Sequence, residues 1–324
     1  MNNDIMVSVT MAAYNHGRFI AQALDSVFMQ KTNFNFEVIV GEDCSPAPDK
    51  TREILFEYKK KYGDRLILIL HDHNVGPREN GFSIEKKIRG KYRCGLEGDD
   101  FWTDPLKLQK QFDFLENNPD FSGCGGDNCE IDSEGRVTKK RKLSLNKDTV
   151  LTLEDYKKRG YTVHVNTIMR KTNLIDYDEK KRLMKRFPTM GDIFVFSFMY
   201  TKGPIYVFKD VFLAHRSGES IKSSFSYQQK NKILYYSQMQ VDISHALNDY
   251  YKGKYDFSFI VVNRIAEVLF AYCFARNTIN INKKELQEFL EKIPSRIRHK
   301  GYLCFIKNTF SRGYSKFYRY ICNK

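Results

Sequence analysis

Short apolar runs alternate with stretches of helical spacing along the first part of the chain. Met6 to Ala13 reads as a buried strand, and Gly17 to Gln30 carries Ile20, Ala23, Leu24, Val27 and Phe28 on one helical face. Phe36 to Val40 is a second strand, followed by Glu42-Asp43 and by Ser45-Pro46 opening a helix with Ile54, Leu55, Tyr58 and Tyr62 on one side. Arg65 to Leu70 and Tyr92 to Leu96 read as further strands, Phe82 to Ile88 and Pro105 to Asn117 as helices. This alternation predicts an α/β fold with a doubly wound, mostly parallel sheet, which binds ligands beyond the carboxyl ends of its strands. The loops there hold Ala13-Tyr14-Asn15, Glu42-Asp43, His71 to Asn80 and Glu97-Gly98-Asp99-Asp100.

Further along, Phe121 to Ile131 adds a strand, Ser133 to Arg136 a turn, and Lys139 to Lys142 a basic run whose ordinary meaning is a solvated loop. A helix at Leu153 to Arg159, a strand at Val163 to Arg170, an aromatic helix from Met190-Gly191-Asp192 through Tyr200, and two short strands at Pro204 to Val207 and Phe212 to His215 follow. After Phe225 the pattern is helical. The predicted organisation is a catalytic domain over 1–220, with halves at about 1–130 and 131–220, followed by a mainly helical C-terminal region over 221–324.

The chain has 324 residues, 42% hydrophobic and 14% aromatic, enough to bury a full core. Its net charge of +14 calls for an anionic partner, which charge alone leaves open between nucleic acid, an acidic membrane and a phosphorylated substrate. Seven scattered cysteines without a Cys-x-x-Cys pair suggest neither zinc nor a disulfide framework, and a reducing, cytoplasmic compartment is expected. The N-terminus lacks the pattern of a signal peptide, and Phe257 to Ala275 is interrupted by Asn263, Arg264 and Glu267 and is not expected to cross a membrane.

The sharpest chemical signal is the three acids in four positions at Glu97, Asp99 and Asp100, between a strand and a helix start. Carboxylates placed so closely repel one another unless a cation sits among them, which points to Mg²⁺ or Mn²⁺ and an anionic substrate such as a diphosphate. The same acids are also compatible with a solvated loop, and Thr103 or Asp104 before Pro105 with a plain helix N-cap. No G-x-G-x-x-G or G-x-x-x-x-G-K-[ST] loop is present, which weakens a dinucleotide oxidoreductase and a P-loop NTPase.

Four motifs together resemble the family 2 glycosyltransferases, the inverting group with the GT-A (Rossmann-like) fold. They are Val7 to Asn15, Val38 to Ser45, His73 to Asn80, and Gly90-Lys91-Tyr92 running into Leu96 to Pro105. The resemblance implies that Ala13 and Tyr14 line a base and ribose pocket, that Asp43 accepts from a uracil imide, and that Arg78 reaches the diphosphate. Glu97, Gly98 and Asp99 stand at the DXD motif, with Asp99 the metal ligand and Glu97 departing from the commoner Asp; Cys44 stands where Gly is usual. Asp192 matches the catalytic base, and His215 the histidine that completes the metal shell.

The expected function is therefore metal-dependent inverting transfer from a UDP-sugar to a saccharide acceptor, possibly lipid-linked, as in bacterial surface-polysaccharide biosynthesis. No nucleic-acid partner is expected. The rivals are a nucleotidyltransferase, which usually has a Gly-rich loop near its first strand, and a basic RNA-binding protein, suggested by the charge. Beyond Glu291 the sequence has no acid, and from Ile297 to Lys324 Tyr302, Leu303, Phe305, Ile306 and Phe310 alternate with cations. That composition suits either peripheral contact with the inner face of the cell membrane or a basic helix packed on the catalytic domain.

Overall fold

A computed structural model describes residues 4–160, 163–187, 191–217, 232–275 and 281–311. The chain divides into one unit of Met1–Tyr156 with Tyr161–Arg216 and another of Lys157–Gly160 with Ser217–Lys324.

In the first unit the apolar runs become β1 (Ile5–Ala13), β2 (Asn35–Glu42), β3 (Leu66–Leu70) and β4 (Tyr92–Gly95). They pair in parallel in the order β3-β2-β1-β4, separated in sequence by α1 (Ile20–Phe28), α2 (Thr51–Tyr62) and α3 (Pro77–Glu85). Ile20, Ala23, Leu24 and Val27 of α1 are fully buried with Val7, Val9 and Val38, and each large side chain so buried contributes about 1.5–3 kcal/mol. Asn80 of α3 donates from Nδ2 to the Gly41 carbonyl at 2.9 Å, which fixes that helix against β2.

The rest of the sheet is mixed. β5 (Phe101–Trp102), α4 (Lys107–Asn117), β6 (Gly123–Ile131), β7 (Val137–Lys139) and β8 (Thr149–Leu151) lead to α5 (Leu153–Arg159). β9 (Met169–Lys171), α6 (Tyr177–Met184), α7 (Gly191–Lys202) and β10 (Ile205–Arg216) complete it. β9 lies antiparallel between β4 and β6, while β10 runs parallel to β6 and antiparallel to β5. The sheet is thus all-parallel in its N-terminal half and mixed beyond it. The fold is a GT-A-like mixed sheet with helices.

Several boundaries differ from the sequence reading for local reasons. Asp49 accepts from the Thr51 amide at 2.9 Å, so α2 starts there rather than at Ser45-Pro46. Pro77 occupies the first turn of α3, which begins before Phe82. The strand expected over Val163 to Arg170 is a 3₁₀ turn, Val165–Thr167, followed by β9, because the His164 ring accepts from the Asn166 amide and caps the turn. The two strands expected near Pro204 and Phe212 are the single strand β10, whose register against β6 shifts between Phe208 and Val211. The basic run forms β7 in part, and Arg141 pairs with the buried Asp127 at 3.2 Å.

The second unit contains α8 (Ile233–Tyr251), α9 (Ser258–Phe274), α10 (Lys283–Glu291) and α11 (Ser295–Ser311). Val241, Val261, Ile265, Val268, Ala271 and Ile293 form its core. Asn282 and Glu285 make a reciprocal capping box at the start of α10. Gly301 of α11 is buried against Ile265 of α9, where an added Cβ would lie 2.6 Å from the Ile265 side chain. Among the described residues no helix is long and apolar enough to cross a membrane.

Candidate active site

The turn after β4 is built by backbone contacts at both of its ends. The Leu96 amide donates to Thr10 of β1 at 3.0 Å, and the Asp100 amide closes the turn on the Glu97 carbonyl at 3.1 Å. Gly98 sits where a Cβ would meet His16 Nδ1 at 2.5 Å and Ile20 Cδ1 at 2.8 Å, so only glycine lets the turn approach the start of α1. His16 Nδ1 is buried with no hydrogen-bond partner.

The three acids of this turn have different environments. Asp100 is buried, and its Oδ1 accepts from the Arg216 amide at 2.8 Å while Oδ2 accepts from Asn166 Nδ2 at 3.0 Å. His215 Nδ1 lies 3.2 Å from Oδ2. Burial alone would raise the Asp100 carboxyl, but His215, His164 and the Arg216 amide outweigh it and hold it below the ordinary carboxylate range. Asp99 has its backbone carbonyl bound by Arg216 Nε at 2.8 Å, while its carboxylate takes no side-chain hydrogen bond among the described residues. Burial raises the Asp99 carboxyl, and Asp100 adds to the effect.

Glu97 is reached by solvent, yet protein surrounds it, as at the wall of a cleft. Among the described residues its carboxylate takes one hydrogen bond, a long one of 3.5 Å from Asn166 Nδ2. That environment, with repulsion from Asp100, Asp99 and Asp192, pushes its carboxyl up to about 8. Asp192, in the first turn of α7, is likewise solvent-reached and ringed by protein, and desolvation raises it to about 6. The structure thus brings Asp99, Asp100 and Asp192 each into electrostatic range of Glu97, although α7 follows the turn by some ninety residues.

His215 comes from the end of β10. Burial opposes its protonation, but Asp100, Glu97 and Asp99 outweigh that and hold the imidazolium above its ordinary value. Its ring lies 4.4 Å from that of His164, which burial and His215 together lower to about 4, so His164 is neutral. Among the described residues Asp100, His164 and His215 present ligand atoms within 4.8 Å of one another.

The remaining predicted residues line the neighbouring loops. Ala13 is buried at the end of β1, and its carbonyl accepts from the Asp43 amide at 2.9 Å. Tyr14 is 44% exposed, leaving its ring face open. Asp43 is buried and accepts from the Val75 and Gly76 amides at 2.7 and 2.9 Å, one bond to each oxygen. Arg78 donates to Glu79 at 3.1 Å and to the Lys185 carbonyl, so those groups occupy its guanidinium in this state.

Sequence reasoning missed the groups that hold the site. Asn166 donates to Glu97 and Asp100, and its carbonyl accepts from Trp102 Nε1 at 2.9 Å. Arg216 ties Asp99 to Gln22 at 2.8 Å and lies 4.3 Å from the Phe19 ring. Glu42, fully buried, accepts from Ser45 and Arg52 and fixes the loop carrying Asp43. The adjacency of Glu42 to Asp43 was a visible signal; Asn166 and Arg216 carried none.

The sequence pointed to Asp99 and His215 as metal ligands; among the described residues the ligand atoms that come within 4.8 Å of one another are those of Asp100, His164 and His215, and Asp99 and Glu97 act on His215 electrostatically. Burial and Asp100 raise both the Glu97 and the Asp99 carboxyl, the charge balance a cation would relieve. Hard oxygen ligands with one imidazole suit Mn²⁺ or Mg²⁺.

Comparison with known proteins agrees with this architecture. The model of glycosyl transferase family 2 matches residues 8–178. An uncharacterized protein of Mycobacterium tuberculosis is 38% identical over 118 residues, 36% of this chain and 34% of the relative. An uncharacterized glycosyltransferase of Methanocaldococcus jannaschii is 33% identical over 181 residues, 54% of this chain and 60% of the relative. The matched stretches therefore span between a third and three fifths of the length of these curated relatives. The crystal structure of S. aureus TarS 1-349 superposes with a TM-score of 0.64 at 17% identity, covering 98% of this chain and 90% of that one. The family match covers more than half of the chain, and the chain belongs to glycosyltransferase family 2.

Proposed function

We propose that the protein transfers a sugar from a nucleoside diphosphate sugar, a UDP-sugar, to a hydroxyl of a saccharide acceptor with inversion at the anomeric carbon. The observation that carries this reading is the approach of Asp192 to Glu97 of the acidic turn, with the Asp192 carboxyl raised to about 6 by desolvation. A carboxylate with that affinity is ionised at neutral pH and still basic enough to take a proton from an attacking hydroxyl. Asp192 accepts the acceptor's proton as the oxygen forms its bond to the anomeric carbon from the face opposite the leaving diphosphate. Inversion follows from that single displacement.

Glu97, Asp99 and His215 would hold Mn²⁺ or Mg²⁺. The ion would neutralise negative charge on the departing diphosphate, where electrostatic stabilisation is most effective. Tyr14 offers a ring against the base, and Asp43 retains lone pairs beside the Val75 and Gly76 amides for the uracil imide. Arg78 would reach the diphosphate by leaving Lys185. The TarS structure has also been determined in complex with UDP-GlcNAc, which supports a uridine donor for this fold. The acceptor is read as lipid-linked, with α11 touching an anionic membrane surface.

Titration calorimetry of UDP with and without Mn²⁺, together with the anomeric configuration of the product, tests the reading. Cooperative binding of UDP and the ion, and an inverted product, are expected. Retention of configuration would exclude the single displacement.

A further inference from the structure

A second charged cluster shares no residue with the acidic turn. Glu85, at the end of α3, accepts from Arg93 of β4 at 2.8 Å and from Lys180 of α6. Arg170 of β9 stands directly opposite Arg93 across the antiparallel β4–β9 pair. Like charges so placed destabilise a sheet unless something between them compensates.

Among the described residues Glu85 is the only carboxylate that acts on Arg170; the other acidic neighbour, Cys94, is a buried thiol whose pKa is raised, so it stays neutral. The Arg170 guanidinium makes no hydrogen bond or ion pair with the described residues, its backbone being paired in the sheet. One carboxylate therefore faces three cations. Burial and Arg93 together lower Arg170 to about 9 and Lys180 to about 7, which registers the uncompensated positive charge.

A cavity opens at this cluster. It measures about 10 Å³ and is lined by Glu85, Arg170, Thr172, Lys180 and the α7 residues Val195 and Phe198. Thr172 spends its hydroxyl proton on the Gly90 carbonyl at 2.7 Å, so the polar hydrogens available to an occupant are those of Arg170 and Lys180. A space of this size suits a single small occupant, a water or a monatomic ion, rather than a polyatomic oxyanion such as phosphate.

We propose that this cavity is a binding site for a single halide-sized anion, held between the Arg170 guanidinium and the Lys180 ammonium. A monatomic anion there balances part of the charge excess and ties Arg170 of β9 to Lys180 of α6. Val195 and Phe198 of α7, the helix that carries Asp192 in its first turn, close the cavity with apolar side chains.

The test is thermal unfolding of the full chain in potassium chloride and in potassium gluconate at equal ionic strength, gluconate being too large to enter. The midpoint is expected to be higher in chloride by on the order of 2–4 °C, with saturation, and bromide should act like chloride. Arg170→Met should remove the difference between the two salts. If that variant does not fold, Lys180→Met supplies the same comparison, and bromide-soaked crystals should show an anomalous peak beside Arg170. Equal midpoints for the unaltered protein in the two salts, or bromide-soaked crystals without that peak, would overturn the site and leave the cavity to water.

Discussion

His215 Nδ1 meets the Asp100 carboxylate at 3.2 Å, so the third acid of the turn serves the fold. Asp100 also receives the Arg216 amide at 2.8 Å and thereby fastens the end of β10 to the turn. Glu97 and Asp99 are left with open oxygens. Asp100→Asn should therefore cost about 1–3 kcal/mol of stability in denaturant unfolding, since it disturbs a buried network. Asp99→Ala should leave stability nearly unchanged and abolish the dependence of UDP affinity on a divalent ion. Calorimetry with and without chelator checks the second half, and UDP affinity indifferent to both chelator and substitution would sink the metal assignment.

Asp192→Asn should keep donor affinity and lower kcat by roughly 10²-fold or more, the loss expected when a general base goes without a change of shape. The pH profile follows from the raised carboxyl. The base works ionised, so kcat/KM should fall as pH drops through about 6, and the asparagine variant should lose that limb. A flat acid limb in the unaltered enzyme would remove Asp192 from this role.

Glu97 yields a pH dependence of ion binding. Its folded-state pKa of about 8 lies above the ordinary 4.5, so the protonated acid contributes stability below the ordinary value that is lost as pH rises through about 8. A divalent ion competes with that proton and relieves the repulsion that replaces it. The rise in unfolding temperature given by Mg²⁺ should be larger at pH 8.5 than at pH 6. Glu97→Gln should flatten the difference; an Mg²⁺ shift that is the same at both pH values would count against Glu97 as a ligand.

Gly98→Ala tests the approach of the turn to α1. The new methyl would lie 2.5 Å from His16 Nδ1 and 2.8 Å from Ile20 Cδ1, and Ile20 is fully buried. Overpacking of this kind costs about 1–3 kcal/mol. Metal-dependent UDP binding should weaken together with stability, and His16→Ala in the same chain should restore part of both.

The N-terminal strands were legible because each is a compact apolar run bounded by turn residues, and the acidic turn because repulsion among Glu97, Asp99 and Asp100 is a property of spacing alone. What escaped the sequence depended on contacts between distant segments. His164 lies in a run that reads as a strand, and only its bond to the Asn166 amide shows the 3₁₀ turn that brings Asn166 under the acids. Arg216 sits in the same His-Arg-Ser segment as His215, but its tie to Gln22 crosses 194 residues and leaves no local trace. The antiparallel insertion of β9 was hidden for a similar reason: three residues, Met169–Lys171, are too short a run to announce their direction.

The last prediction concerns α11. Gly301 packs on Ile265, while Tyr302, Leu303 and Ile306 are 38%, 53% and 47% exposed and share a face with His299. Arg296, Lys300 and Lys307 flank them and are also exposed. The helix is packed on α9 on one side and apolar with a basic border on the other; residues 312–324, the rest of the expected tail, lie outside the described residues. Rings and aliphatic chains can enter the headgroup layer while the cations stay near anionic lipids, each cation contributing about 1 kcal/mol at the surface. Replacing Tyr302, Leu303 and Ile306 with Ser spares the buried face, unlike a truncation that would uncover α9. The triple variant should be recovered with anionic vesicles several-fold less than the unaltered protein in flotation at moderate salt, and both should be lost from neutral vesicles. Equal recovery of the two on anionic vesicles would show that this face does not touch the membrane.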